Sequence, residues 1–117
     1  MKEILHISLL FDFYGELLTQ KQKQIFSMYY NEDLSLSEIA VELDISRQGV
    51  RDQLKRTEKI LEQYENKLKL VEKFIMQKKA VSEIKNIIEF IEKNDNFSQN
   101  TVFEIEKIKR IVDRILE

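Results

Sequence analysis

Apolar side chains crowd the start of the chain and then settle into stripes. Ile4, Leu5, Ile7, Leu9, Leu10, Phe11, Phe13, Tyr14, Leu17 and Leu18 fill much of residues 3–18. On a helix that spread covers nearly the whole surface, and such a helix is buried or lies in a subunit interface. Gly15 lowers helix stability inside this run, which predicts a second backbone packed close to it. Thr19 and Gln22 have capping-box spacing and open a second helix, with Ile25, Phe26 and Tyr29 at helical intervals. Asn31, Glu32 and Asp33 break it.

Ser35 and Glu38 repeat the capping-box spacing before a short helix whose inward positions are Ile39, Ala40 and Leu43. Asp44 is the expected turn residue, because Asp tolerates a left-handed backbone better than most. Ser46 caps the next start, and the pattern runs on through Val50, Leu54, Leu61, Tyr64, Leu68, Val71 and Ile75. From Leu54 the apolar steps alternate between three and four, with Thr57 filling one position, as in a heptad seam. Nothing at Asn66 forces a break. Ile84, Ile87, Ile88 and Ile91 form one stripe of a helix over 82–93, and NDNFSQN at 94–100 is the clearest loop. A last helix carries Val102, Ile105, Ile108, Val112 and Ile115. No stretch alternates like a strand, so the fold class is all-α.

Composition sharpens this picture. The chain has 117 residues, no proline and two glycines, a chemistry with few helix breakers. It fits a single helical domain over 1–117, with a helix-turn-helix core at 19–64 and a C-terminal helical extension at 65–117. There is no cysteine and one histidine, which removes disulfides and an ordinary zinc site. Neither a metal nor a cofactor is expected. His6, Asp12 and Glu16 interrupt the N-terminal apolar run, so it does not read as a leader peptide. No run is long and apolar enough to insert in a membrane. The expected location is the cytoplasm.

The stretch SLSEIAVELDISRQGVRDQLKR at 35–56 has the spacing of a helix-turn-helix. Ala40 is small where the second helix crosses; Leu43, Ile45, Val50 and Leu54 fill the angle. The second helix then presents Arg47, Gln48, Arg51, Lys55 and Arg56 outward as candidate nucleic-acid-binding residues. Its first turns meet base edges in this motif, where Arg suits guanine and Gln suits adenine. Residues 46–56 hold four cations against Asp52, whereas the whole chain carries a net charge of −2. Binding therefore rests on a local patch, and Glu38, Glu42, Asp44 and Asp52 work against a plain DNA reader.

Residues 19 to about 56 resemble region 4 of bacterial sigma factors and the related LuxR-type helix-turn-helix. A closer resemblance covers more of the chain: LLFDFYGELLT at 9–19, YYNEDLSLSEIA at 29–40 and ISRQGV at 45–50 resemble the YlxM family. These are small bacterial helix-turn-helix proteins encoded beside the signal recognition particle GTPase Ffh. The resemblance implies a regulatory or accessory role in that pathway, through binding the GTPase, its RNA, or both. The alternative is a sequence-specific DNA-binding transcription regulator.

Other features have plainer readings. Tyr29 is expected in the core and Tyr30 half-buried, in preference to stacking on bases. Asp12 and Glu16 lack any catalytic partner nearby in sequence, and no enzyme activity is expected. The lysines and arginines after residue 77 interleave with acids as a solvated, mixed face. The seam from Leu54 to Ile75 and the surplus apolar surface of the N-terminal helix predict a homodimer.

Overall fold

A computed structural model of the protein describes residues 4–117. The helices are α1 (Ile4–Tyr14), α2 (Gln20–Tyr30), α3 (Leu36–Leu43), α4 (Arg47–Leu68), α5 (Leu70–Asn94) and α6 (Gln99–Leu116), with a 3-10 turn at Gly15–Leu17. No strand occurs among the described residues. The chain divides into two compact units, one ending at Val71 and one spanning Glu72–Glu117. The expected helix start at Glu3 lies outside the described residues.

The starts fall where the hydroxyl signals place them. Thr19 Oγ1 accepts from the Gln22 N–H at 3.2 Å while the Thr19 N–H donates to Gln22 Oε1 at 2.9 Å. Ser35 and Glu38 repeat the exchange at 3.1 and 3.0 Å. Ser46 caps α4 and Ser98 caps α6. Each such cap stabilises a helix end by about 1 kcal/mol.

In the first unit α4 is shared by two clusters. Its Val50 and Leu54 pack with Ile25, Met28, Ile39 and Ala40. Its Leu61 packs with Ile7, Leu10, Tyr14, Leu18, Phe26 and Val71. The expected dimer seam is therefore covered in part by the chain itself: Leu54, Thr57, Leu61 and Val71 are buried, while Leu68 and Ile75 stay exposed. α1 is shorter than its apolar run, because the 3-10 turn takes over at Gly15. It is also not buried all round: Ile7, Leu10 and Tyr14 face the core, while Ile4 and Leu5 are largely exposed. What stands nearest Gly15 is a side chain, not the expected second backbone. A Cβ there would meet the Phe11 ring at 3.2 Å, and that ring lies flat on Phe26 with centroids 4.5 Å apart.

Tyr30 is half-buried, as expected: it lies on Phe26 and donates its hydroxyl to Glu58. Tyr29, expected in the core, is instead exposed and meets Tyr30 edge-on. Glu58 is the first of three α4 acids that bond to the N-terminal helices. His6 Nε2 lies 3.1 Å from Glu62, and the Tyr14 hydroxyl donates to Glu65 at 2.5 Å.

The long helix expected to continue from Ser46 to Ile75 breaks at Lys69, which adopts a left-handed backbone with φ 57°. The buried Glu65 carboxylate, besides the Tyr14 hydroxyl, takes the Val71 N–H at 3.0 Å. The Tyr14 oxygen accepts the Leu70 N–H at 3.1 Å. Two orphan donors of a new helix start are thus satisfied by α1 and α4, so the chain can restart as α5.

In the second unit, α5 and α6 run antiparallel across the loop at 95–98. Lys85 pairs with Asp113 at 2.9 Å and Lys109 with Glu92 at 3.2 Å. Lys107 also reaches Glu104 within α6. Charges on this pair of helices are mixed, as the interleaving predicts, and several of them are partnered.

Candidate nucleic-acid interface

α3 and α4 hold the candidate surface through a turn of three residues. Ile39 is fully buried and Ala40 nearly so. Asp44 takes the left-handed conformation, φ 54° and ψ 47°, and the Ile45 N–H reaches back to the Ala40 carbonyl at 3.1 Å. This six-to-one bond closes α3 and sets the path into α4. Ser46 then caps α4 by accepting the Gly49 N–H at 2.9 Å. A Cβ at Gly49 would lie 3.0 Å from that same hydroxyl. Gly49 therefore leaves room for the cap that starts the helix.

Val50, without exposed surface, and Leu54 face inward, so the outward positions are fixed by helical periodicity. Arg47, Gln48, Arg51, Lys55 and Arg56 are all exposed. They form two rows at four-residue spacing. Arg47, Arg51 and Lys55 make one cationic row. Gln48, Asp52 and Arg56 make its neighbour, so Arg56 is turned away from the other three cations. None of these four cations has an ion pair among the described residues. Lys59 extends the cationic row by one further turn and is also exposed. Its four-residue spacing from Lys55 was the available sign of it, masked by the heptad pattern that runs through the same residues.

Gln48 donates from Nε2 to Asp52 Oδ1 at 2.9 Å. One amide hydrogen and the amide oxygen remain for a partner, and the Asp52 charge is partly screened from the row beside it. Arg47, Gln48 and Arg51 line a shallow recess with Leu36. Glu38 is held below the usual carboxylate range, chiefly by the Ser35 backbone N–H and then by the Ser35 hydroxyl. It stays ionised, and with Glu42 and Asp44 it gives α3 and the turn a negative edge. The surface is therefore a narrow basic row beside an acidic one. It suits a few phosphate contacts and repels a phosphate backbone laid broadly across both helices.

Among the described residues no cluster of three or more His, Cys, Asp or Glu side chains is placed to hold a metal ion. No described helix is long and apolar enough to cross a membrane.

The profile of the UPF0122 family, described as helix-turn-helix protein, YlxM / p13 like, matches residues 1–105. A UPF0122 protein of Bacillus thuringiensis (strain Al Hakam) is 45% identical over 108 residues, covering 92% of this chain and 98% of that relative. UPF0122 proteins of Bacillus cereus (strain 03BB102) and Bacillus anthracis (strain A0248) show the same identity and coverage.

Proposed function

Because the chain belongs to the UPF0122 family of YlxM / p13-like helix-turn-helix proteins, we propose that it is an accessory or regulatory factor of the signal recognition particle pathway. It acts in the cytoplasm by binding the particle's GTPase, its RNA, or both. The observation that carries the nucleic-acid part of this reading is the row of Arg47, Arg51 and Lys55 at the start of α4, exposed and without an ion pair among the described residues. Gln48 beside the row and Arg56 on the next one complete the binding set. The pathway part is supported by the resemblance of 9–19, 29–40 and 45–50 to the YlxM family. The working form is a homodimer.

A second reading has its own support. Arg47 and Gln48 stand on the first turn of the second helix, where this motif reads base edges in DNA. That reading makes the protein a sequence-specific transcription regulator.

A low-salt pull-down from the protein's own cell lysate, with and without nuclease, separates the two. Recovery of the GTPase or the particle RNA supports the accessory role, and recovery of specific DNA fragments alone overturns it. Arg51→Glu should abolish nucleic-acid retention while leaving the circular dichroism spectrum unchanged. In salt titrations against the retained nucleic acid, Arg51→Gln should reduce the slope of log affinity on log salt by about one. An unchanged slope removes the row from the interface.

A further inference from the structure

The C-terminal pair of helices leaves its apolar surface open. Among Glu72–Glu117 only Val112 is buried. Yet Ile84, Ile87 and Ile91 on α5, and Ile108, Ile111 and Ile115 on α6, are between 37% and 59% exposed. Three contacts fix how the two helices meet: Lys85 with Asp113, Glu92 with Lys109, and the Lys78 Nζ on the Glu117 carbonyl at 3.3 Å. They set the register, and the half-buried Lys85, Ile88 and Glu92 on α5 and the Lys109, Val112 and Leu116 side of α6 mark the side each helix turns to the other. At about 100° per residue, both the α5 and the α6 isoleucines lie a little over a quarter of a turn from that side. The two rotations have the same sense, and the helices run in opposite directions. Both rows therefore come out on the same face. In register, Ile84 stands beside Ile115, Ile87 beside Ile111, and Ile91 beside Ile108.

We propose that this six-isoleucine face is where a second copy of the chain docks, hairpin on hairpin, closing a four-helix bundle. The proposal rests on the homodimer reading above and gives it a different surface from the Leu54–Ile75 seam, whose Leu54, Leu61 and Val71 the chain itself buries. Two arguments select this occupant. A pair of helices with one buried side chain lacks the core that a stable unit of its size needs. A flat layer of two antiparallel helices with three- and four-residue apolar spacing is half of a four-helix bundle. Charge then favours self-association over an unrelated partner. Glu83 lies on the outer edge of α5 and Arg114 on the outer edge of α6, at the same level, opposite the sides where the helices meet. Both are exposed, and neither has an ion pair among the described residues. A twofold axis lying in the isoleucine face and running along the helices stacks each α5 on the second copy's α6. It keeps every level and brings Glu83 against the second copy's Arg114, twice.

The test uses the full chain in sedimentation equilibrium from 0.1 to 100 µM. The expected result is a dimer that Ile87→Glu and Ile111→Glu each weaken at least a hundredfold, with the helical spectrum of α1–α4 retained. Glu83→Arg and Arg114→Glu should each weaken it several-fold, and the double exchange should restore most of the loss. A monomer throughout overturns both the homodimer reading and this surface, and assigns the face to a different protein. A dimer indifferent to Ile87→Glu and Ile111→Glu leaves the homodimer reading standing and overturns the surface. Failure of the double exchange to restore affinity overturns the axis along the helices.

Discussion

Thr57 lies in the core with 1% of its surface exposed, and its hydroxyl has no hydrogen-bond partner among the described residues. It occupies the position in the α4 pattern where an apolar residue is due. Burying a hydroxyl without a partner costs about 1–3 kcal/mol. Valine has nearly the same shape and a similar helix propensity. Thr57→Val should therefore raise stability by about 1 kcal/mol. A thermal melt that moves down, or does not move, removes that account of the site. Gly15 makes the opposite point. What it accommodates is an aromatic ring of the preceding helix, Phe11, which also stacks on Phe26. The sequence signals a tight approach at that glycine but not its partner, because a backbone and a ring impose the same demand for a missing Cβ.

At the scale of elements, the caps and turns were legible and the long-range breaks were not. Thr19, Ser35 and Ser46 act on backbone donors two or three residues away, so their spacing carries the information. Asp44 works equally locally. The break at Lys69 has no glycine, proline or cap beside it. It depends on Tyr14, far off in sequence, and on Glu65, which reads as an ordinary solvated acid. The outward rows of α4 were legible too, since periodicity alone turns Arg47, Arg51 and Lys55 to one side. Tyr14→Phe removes the hydroxyl that Glu65 and Leu70 share and should cost about 1–3 kcal/mol; a shift under a few tenths in urea titration counts against the latch. Alkali tests the same elements. Burial first, and then hydrogen bonding to Glu65 and Glu58, raises Tyr14 and Tyr30 above the ordinary tyrosine value of 10.0. The fold thus favours the neutral phenols. Their contribution is intact below pH 10 and is lost as pH climbs through the folded-state values. The urea midpoint should begin to fall near pH 10, and the Tyr14→Phe, Tyr30→Phe double variant should flatten that fall. A wild-type midpoint that holds or rises above pH 10 contradicts it.

The whole molecule divides its apolar material unequally. The first unit encloses two clusters around α4, while the second holds one buried side chain and a row of open isoleucines. With a second copy supplying the missing layer, the two should respond differently to dilution. Hydrogen exchange should show protection in α5 and α6 beyond Val71 falling as protein concentration drops, with α1–α4 unaffected. Equal loss in both units would mean they unfold as one. The family resemblance had pointed to a helix-turn-helix, and the fold bears that out. The distribution of apolar surface was less legible, because a stripe of isoleucines looks the same in sequence whether its cover comes from the same chain or another.

The latch at Lys69 also has a direction in time. Without Tyr14 in place, the Leu70 N–H loses its acceptor, and residues on both sides of Lys69 are ordinary helix formers. A chain whose first helix has not yet docked has every reason to extend α4 into α5 without interruption. The end of the fourth helix is therefore an outcome of assembly, decided only when the first helix arrives.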